Sequence, residues 1–414
     1  VDEAPTAAVD IMGGDFNTDP YRAYARLRQE APVCRVRDFM GIESWLIGRY
    51  EEAREAFADK RLAKDALNGS DGYRLLAGGA DNPLSRNLLS TDPPDHTRLR
   101  GLISRAFTPR RIEERLRPRV QEITDELLDR VASETEVDLV EALAFPLPVT
   151  VICELLGVPV AEREQFRSWS QTINSTGPED VRLAASLALA GYFSDLVGER
   201  RTTVRADLPE DEQPDLVSVL IAARDQGDAL NDVELIGTLM LLLIAGHETT
   251  VHLIANGMLA LFQHPDQLRL LRERPELWPA AVEELLRYTN PAQRATFRYA
   301  TEDVEIGGVA VPRGGLVSVA IASCNRDEER FTDPDRVDVL REDNHHLAFG
   351  HGIHFCLGAP LARQEGRIAF ATLLRRFPDI ALAVPPEQVP WRHSGLLNGP
   401  ASLPVRLRRE GPRP

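Results

Sequence analysis

The sequence predicts a mainly α-helical protein with small β-sheets, folded as a single domain over residues 1–414. Three observations predict this. Apolar residues recur at helical spacing along most of the chain. The stretch from Asn231 to Gln263 reads as one long helix, opened by Asn231 with Glu234 reaching back and stopped at His264-Pro265. Strand-like segments are short and scattered, too few for a large sheet.

The elements follow in order. "PYRAYARLRQEAP" is a short amphipathic helix, and residues 1–14 before it read as a flexible tail. Strands are expected around Cys34–Arg37 and Ser44–Ile47, then a helix in "YEEAREAFAD". Residues 65–90 are rich in Gly, Asn, Asp and Ser and read as a long loop, a feature that is usually functional or disordered. Helices then run from about Pro94 to Arg224, broken near "EVDLV". At about 1.5 Å per residue, the Asn231–Gln263 helix would cross the whole domain. "PAAVEELLRYTN" adds another helix, and Thr296–Ala320 holds short strands and turns. A last helix spans about Leu357 to Phe377, before terminal strands.

Composition narrows the function. The net charge of −16 argues against general affinity for nucleic acid or anionic membranes. Of 48 basic residues only Lys60 and Lys64 are lysine. Cys34, Cys153, Cys324 and Cys356 show no metal-cluster spacing. The first three sit among apolar neighbours and read as reduced core thiols. The acidic N-terminus carries no signal-peptide pattern, and the longest apolar run, Leu235 to Gly246, is too short to span a bilayer. A cytoplasmic protein without a membrane anchor is expected.

The fourth cysteine lies in "FGHGIHFCLG", Phe349 to Gly358. Gly350, Gly352 and Gly358 permit tight turns and close approach to something flat or bulky. Cys356 immediately precedes a helix, whose free N–H groups favour a thiolate. A single soft ligand with no chelating partners suits a metal that arrives already bound, as in haem. A lone cysteine in a glycine turn is usually a buried thiol; the ten-residue pattern argues against that here.

The segment resembles the haem signature of the cytochrome P450 superfamily, Phe-Gly-x-Gly-x-His-x-Cys-x-Gly, at every defined position. The resemblance implies the P450 fold, with the long helix crossing over haem b (iron protoporphyrin IX). Cys356 would be the axial ligand in a loop closed by Gly358. Phe349 would pack near the thiolate, and His354 would reach a propionate.

Other motifs occur in the matching order. "AGHETT" sets Glu248 and two hydroxyls in an apolar helix, at a cost unless they have partners or a task. By itself it is equally well a satisfied polar patch. It looks like the family's acid–alcohol pair, with Glu248 as acid and Thr249 as alcohol relaying protons, and with Gly246 letting the helix loosen locally. "EELLR" resembles the structural Glu-x-x-Arg motif at Glu284 and Arg287, completed by "FTDPDRVDVLR". In "DPPDHTRLR", His96 and Arg100 share a helix face. That is a solvated stripe in isolation and a pair of propionate ligands by the resemblance, joined by Arg298. His247 lies in the same helix as Glu248, at a position where the family's residue varies, and His252, His264, His345, His346 and His393 read as surface or supporting residues.

The resemblance implies a monooxygenase using O2. Electrons would come from a ferredoxin and ferredoxin reductase fed by NAD(P)H, and the enzyme would be monomeric. Arg105, Arg110, Arg111, Arg363 and Arg367 are either solvated helix faces or the patch that attracts the ferredoxin. A substrate pocket is expected around Leu88, Leu243, Ala245, Pro291, Ala292, Leu396 and Leu397, apolar enough for a large hydrophobic molecule. "LLLIAGHETTVHLIANGM" and "WRHSGLLNGP" resemble bacterial macrolide and polyketide hydroxylases, which implies hydroxylation or epoxidation of such a metabolite. A steroid, vitamin D-like compound or fatty acid is the alternative substrate. A peroxygenase is disfavoured by the acid–alcohol pair, and so is a non-catalytic haem-thiolate binding protein.

Overall fold

The computed structural model describes residues 9–11, 20–37, 43–69, 86–104, 107, 112–175, 177–205, 207–209, 212–225, 230–393 and 396–408. Strand β1 (Val9–Asp10) precedes helix α1 (Pro20–Glu30), then β2 (Val33–Arg37), β3 (Glu43–Ile47), α2 (Tyr50–Ala58) and β4 (Leu62–Ala63). Then come α3 (Asp95–Ser104), α4 (Arg117–Arg130), β5 (Glu136–Asp138), α5 (Pro146–Leu156), α6 (Arg163–Ile173), α7 (Glu179–Thr203), α8 (Leu216–Asp225) and α9 (Asp232–Gln263). Helices α10 (Pro265–Glu273) and α11 (Trp278–Thr289) lead into β6 (Arg298–Ala300), β7 (Val304–Ile306), β8 (Val309–Val311) and β9 (Leu316–Val319). Short α12 (Ile321–Cys324) and long α13 (Ala359–Arg376) precede β10 (Ala381–Leu382), β11 (Trp391–His393), β12 (Asn398–Pro400) and β13 (Pro404–Arg406).

Helix α9 organises the molecule. Its capping box is formed as the sequence predicts: Asn231 accepts from the Glu234 N–H at 2.9 Å and Glu234 accepts from the Asn231 N–H at 3.0 Å. It packs on α5, α7, α11 and α13, and Leu239, Leu243, Ile254 and Met258 are fully buried in the main core. Helix α9 runs unbroken through Gly246. The glycine serves packing, because a Cβ there would lie 3.2 Å from Ile152 of α5.

The strands do more than their scatter suggests. Six form one sheet in the order β1-β2-β3-β9-β6-β4. β3 runs parallel to β9, with Trp45 opposite Val317. Its strands have two to five residues and come from two distant stretches, Val9–Ala63 and Arg298–Val319, so no local pattern announces the sheet. Part of the expected tail is also tied down: Val9 and Asp10 pair with Val36 and Arg37, and Ile11 is buried.

By length and composition α7 and α9 could each span a bilayer, more than the apolar run Leu235–Gly246 suggests. Most of the apolar part of α9 is covered by the protein's own core. Cys34, Cys153 and Cys324 are buried, as predicted.

Candidate active site

The Phe349–Gly358 loop is shaped by its glycines. Gly350 and Gly352 take φ of 72° and 76°, a left-handed conformation that side chains disfavour. At Gly352 a Cβ would also lie 2.7 Å from the Phe57 carbonyl oxygen of α2. The loop closes on itself where the Cys356 N–H donates to the Phe349 carbonyl at 2.9 Å. Gly358 is the N-cap of α13, and a Cβ there would come within 4.0 Å of the Cys356 sulfur.

Cys356 is the one exposed cysteine. Its sulfur lies in a recess where desolvation pushes the thiol up. The Gly358 N–H, Arg100, the Ala359 N–H and Arg363 pull it back down. The helix N-terminus therefore acts in the expected direction but does not suffice to make a thiolate; a coordinated metal cation would. Phe349 is half-buried beside the loop, with the Arg363 guanidinium 4.6 Å from its ring centre.

Cationic and imidazole groups from four parts of the chain converge near this loop. The rings of His96 (α3) and His354 lie 4.2 Å apart. His96 Nε2, His354 Nε2 and Arg298 Nε are buried without a hydrogen-bond partner. Burial, then His96, Lys64, Arg298 and Arg100, push His354 down to about 2. Burial similarly lowers Arg298 to about 10, with Asp92 offsetting. Arg100 donates to the Phe355 carbonyl at 2.7 Å. Such a cluster is short of negative charge, and buried donors without partners are costly. Two carboxylates of a flat group seated against Cys356 would satisfy it, so the residues present fit haem.

Lys64 is the member that the motif reading missed. Its ammonium is buried and donates to the Thr296 hydroxyl at 2.5 Å, the Phe297 carbonyl at 2.7 Å and the Thr296 carbonyl at 3.2 Å. Burial, then Arg298, push it well below the ordinary lysine range. Asp92 accepts the Lys64 and Asp65 N–H groups, and its own carbonyl receives the His96 N–H that starts α3. The signal was lysine itself, in a chain that otherwise uses arginine.

In α9, Ala245 is exposed and Thr249 half-buried, four residues apart on one face of a largely buried helix. Thr249 donates to the Ala245 carbonyl at 3.0 Å. The buried Glu248 points instead toward α6, accepting from Ser170 and Asn174 at 2.9 Å each. Neither partner stood out in the sequence. His247 and His252 are buried, and His247 Nδ1 bonds to the Leu243 carbonyl at 2.7 Å.

Of the expected pocket residues, Ala292 bridges to Leu397, and Gln293 donates to the Leu396 carbonyl at 2.8 Å. Asn398 reaches the Pro291 carbonyl at 3.4 Å, so these two segments do meet. Pro291, Leu243 and Leu88 are buried, and Leu88 and Leu243 share the main core. Residues 70–85 of the long loop, and Arg105, Arg110 and Arg111, lie outside the described residues.

The Glu284–Arg287 pair is structural, as read. Arg287 donates twice to Glu284 at 2.8 Å and to the carbonyls of Asn325, Pro334 and Arg336. Glu284 also accepts from Arg341, from Asn344 and from the Asp338 N–H.

Comparison with known proteins agrees with this geometry. The family pattern described as Cytochrome P450 matches residues 180–274 and 271–397. Cytochrome P450 107B1 of Saccharopolyspora erythraea is 48% identical over 405 residues, 96% of this chain and 98% of that protein. The mycinamicin IV hydroxylase/epoxidase of Micromonospora griseorubida is 44% identical, over 92% of this chain and 94% of its own. The crystal structure of myxobacterial CYP267B1 with myristic acid superimposes with a TM-score of 0.90 at 40% identity, covering 97% of this chain and 99% of that one.

Proposed function

The chain belongs to the cytochrome P450 family and is a monooxygenase, and from that premise we propose that it hydroxylates or epoxidises a macrolide or other polyketide. The relatives point this way, since they include the mycinamicin IV hydroxylase/epoxidase and a polyketide-biosynthesis P450. The apolar residues Ala245, Ala292, Leu396 and Leu397, exposed or half-buried, suit contact with a large hydrophobic molecule. A fatty acid is the second reading, favoured by the myristic acid bound to the structural relative.

One observation carries the cofactor assignment: buried, partnerless nitrogens of His96, His354 and Arg298 gathered near the exposed Cys356. Haem b, when bound, supplies oxygen activation. In this reading Cys356 would supply the thiolate that holds the iron, and Phe349 and Gly358 would shape its surroundings. His96, Arg100, Arg298 and His354 would hold the two haem carboxylates. Thr249 and Glu248 would hold and pass protons, and the open face of α9 at Ala245 would leave room for substrate. One domain spans the chain.

Electrons are proposed to come from a ferredoxin and its reductase. Arg363 is bonded twice to Glu283, and Arg367 donates to Gln364. Their charges are thus partly engaged, and Arg105, Arg110 and Arg111 are docking candidates from the sequence alone. Charge reversal at Arg105 should slow reduction.

The deciding measurement is the carbon monoxide difference spectrum of the dithionite-reduced protein. A strongly red-shifted Soret band supports thiolate-ligated haem, and its loss in Cys356→Ser assigns the ligand. An unshifted band in folded wild-type protein would break the assignment. A panel of macrolides, polyketides, steroids and fatty acids, read by spin-state shift, then separates the substrate classes.

A further inference from the structure

An ion pair lies against Phe349 on the side of α13. Arg363 Nε and Nη2 donate to the two Glu283 carboxylate oxygens at 2.7 and 2.8 Å. The same guanidinium stacks 4.6 Å from the Phe349 ring centre, within cation–π range. His346 closes the group, its Nε2 3.3 Å from Glu283 Oε2, near but off the line of a good hydrogen bond. The Ala348 N–H donates to His346 Nδ1 at 3.2 Å, so Nδ1 is the acceptor and the ring is the neutral Nε2–H form. The His346 ring centre is itself 6.0 Å from that of Phe349.

The charges beside Phe349 are therefore one cation and one anion. Burial works against the Glu283 carboxylate, but the polar Nε2–H edge of His346 at 3.3 Å and the Arg363 guanidinium together hold it down to about 2, so it stays ionised. The Phe349 carbonyl receives the Cys356 N–H, so the pair sits one residue from the proposed iron ligand. Surface Glu–Arg pairs contribute little to stability. This one is half-buried and aimed at an aromatic ring, with side-chain exposures of 28% for Glu283 and 37% for Arg363.

Resting on the haem-thiolate reading above, we propose that Glu283 and Arg363 form a charge-compensated pair that sets the reduction potential of the iron through the Phe349–Cys356 loop. Gain of an electron is favoured by nearby positive charge and opposed by nearby negative charge. Glu283→Gln leaves the Arg363 cation uncompensated and raises the potential. Arg363→Gln leaves the Glu283 anion beside a neutral histidine and lowers it. The double variant removes both charges and returns toward wild type. Arg363→Lys keeps the cation and stays close to wild type.

The test is an equilibrium redox titration of the haem-loaded variants, with thermal unfolding measured alongside. The expected result is shifts of opposite sign, each a threefold to tenfold change in the ferric/ferrous equilibrium, up to about 59 mV for one electron. A purely structural role predicts loss of stability in both single variants without opposite potential shifts. Shifts of the same sign, or no shift in either, would overturn the proposal. Should Glu283→Gln not fold, Arg363→Gln against Arg363→Lys still decides: a lowered potential in the first alone supports the pair, and equal potentials reject it. A wild-type protein without the red-shifted carbon monoxide band is a separate failure, of the cofactor reading and not of the pair.

Discussion

Ser170 donates its hydroxyl to the Glu248 carboxylate across 2.9 Å and so joins α6 to the central helix α9. The acid and the neighbouring alcohol thus have different partners, because Thr249 donates along its own helix to Ala245. Glu248 faces α6 and must turn, or act through water, to serve the open face of α9. General acid–base groups contribute roughly 10²–10⁴ in rate. Glu248→Gln should slow turnover by about a hundredfold with substrate binding retained. Thr249→Ala should keep consuming NAD(P)H while product falls and peroxide rises. Product formed per NAD(P)H consumed is the readout, and full coupling in Thr249→Ala would sink the relay role.

Gly352 is constrained twice, by a φ of 76° and by the Phe57 carbonyl 2.7 Å from where a Cβ would be. Gly352→Ala should cost about 2 kcal/mol or more, through backbone strain and displacement of α2. The loop carrying His354 and Cys356 would shift with it. Chemical denaturation and haem content should therefore fall together. Gly191, exposed in α7 and with nothing near its Cβ position, is the control: Gly191→Ala should be neutral or stabilising.

Much of this site was legible because its motifs are local. The cysteine loop, the capping box at Asn231 and Glu234, and the Glu284–Arg287 turn each place partners within a few residues, so spacing reveals them. What was hidden depends on long-range assembly. Lys64 meets Thr296 and Phe297 across 232 and 233 residues of sequence. Ser170 and Asn174 lie 78 and 74 residues from Glu248. The six-stranded sheet likewise joins β3 to β9, far along the chain. Gly246 is ambiguous for another reason: a close approach by α5 and a local loosening of α9 both call for glycine.

Lys64 yields a direct test of the propionate cluster. Lys64→Met keeps the stem and removes the ammonium, which leaves the Thr296 and Phe297 oxygens without their donor. The 296–297 segment then loosens immediately before Arg298, and one positive charge leaves the cluster. Haem loss to an excess of apomyoglobin should speed up by about tenfold, the equivalent of roughly 1.4 kcal/mol. Lys64→Arg, which restores charge but not the compact three-way contact, should recover only part of this. Wild-type haem release in Lys64→Met would remove Lys64 from the site.

Glu365 on α13 links burial to pH most directly. It is 2% exposed, and its Oε2 has no hydrogen-bond partner. Burial alone pushes its carboxyl up to about 8 from an ordinary 4.5. The folded protein therefore keeps this proton to about pH 8, whereas the unfolded chain releases it near pH 4.5. Its contribution to stability is complete below pH 4.5 and is lost as the pH rises to about 8. At 1.36 kcal/mol per pH unit, the loss is on the order of 5 kcal/mol. Glu365→Gln has no proton to lose, and the other titrating groups act equally in both proteins. The stability difference between variant and wild type should therefore grow steadily in favour of glutamine over this interval. Urea unfolding at pH 5, about 6.5 and about 8 measures it. A constant difference across those three pH values would mean that Glu365 is ionised in the folded protein, with a counter-charge or water at its carboxylate.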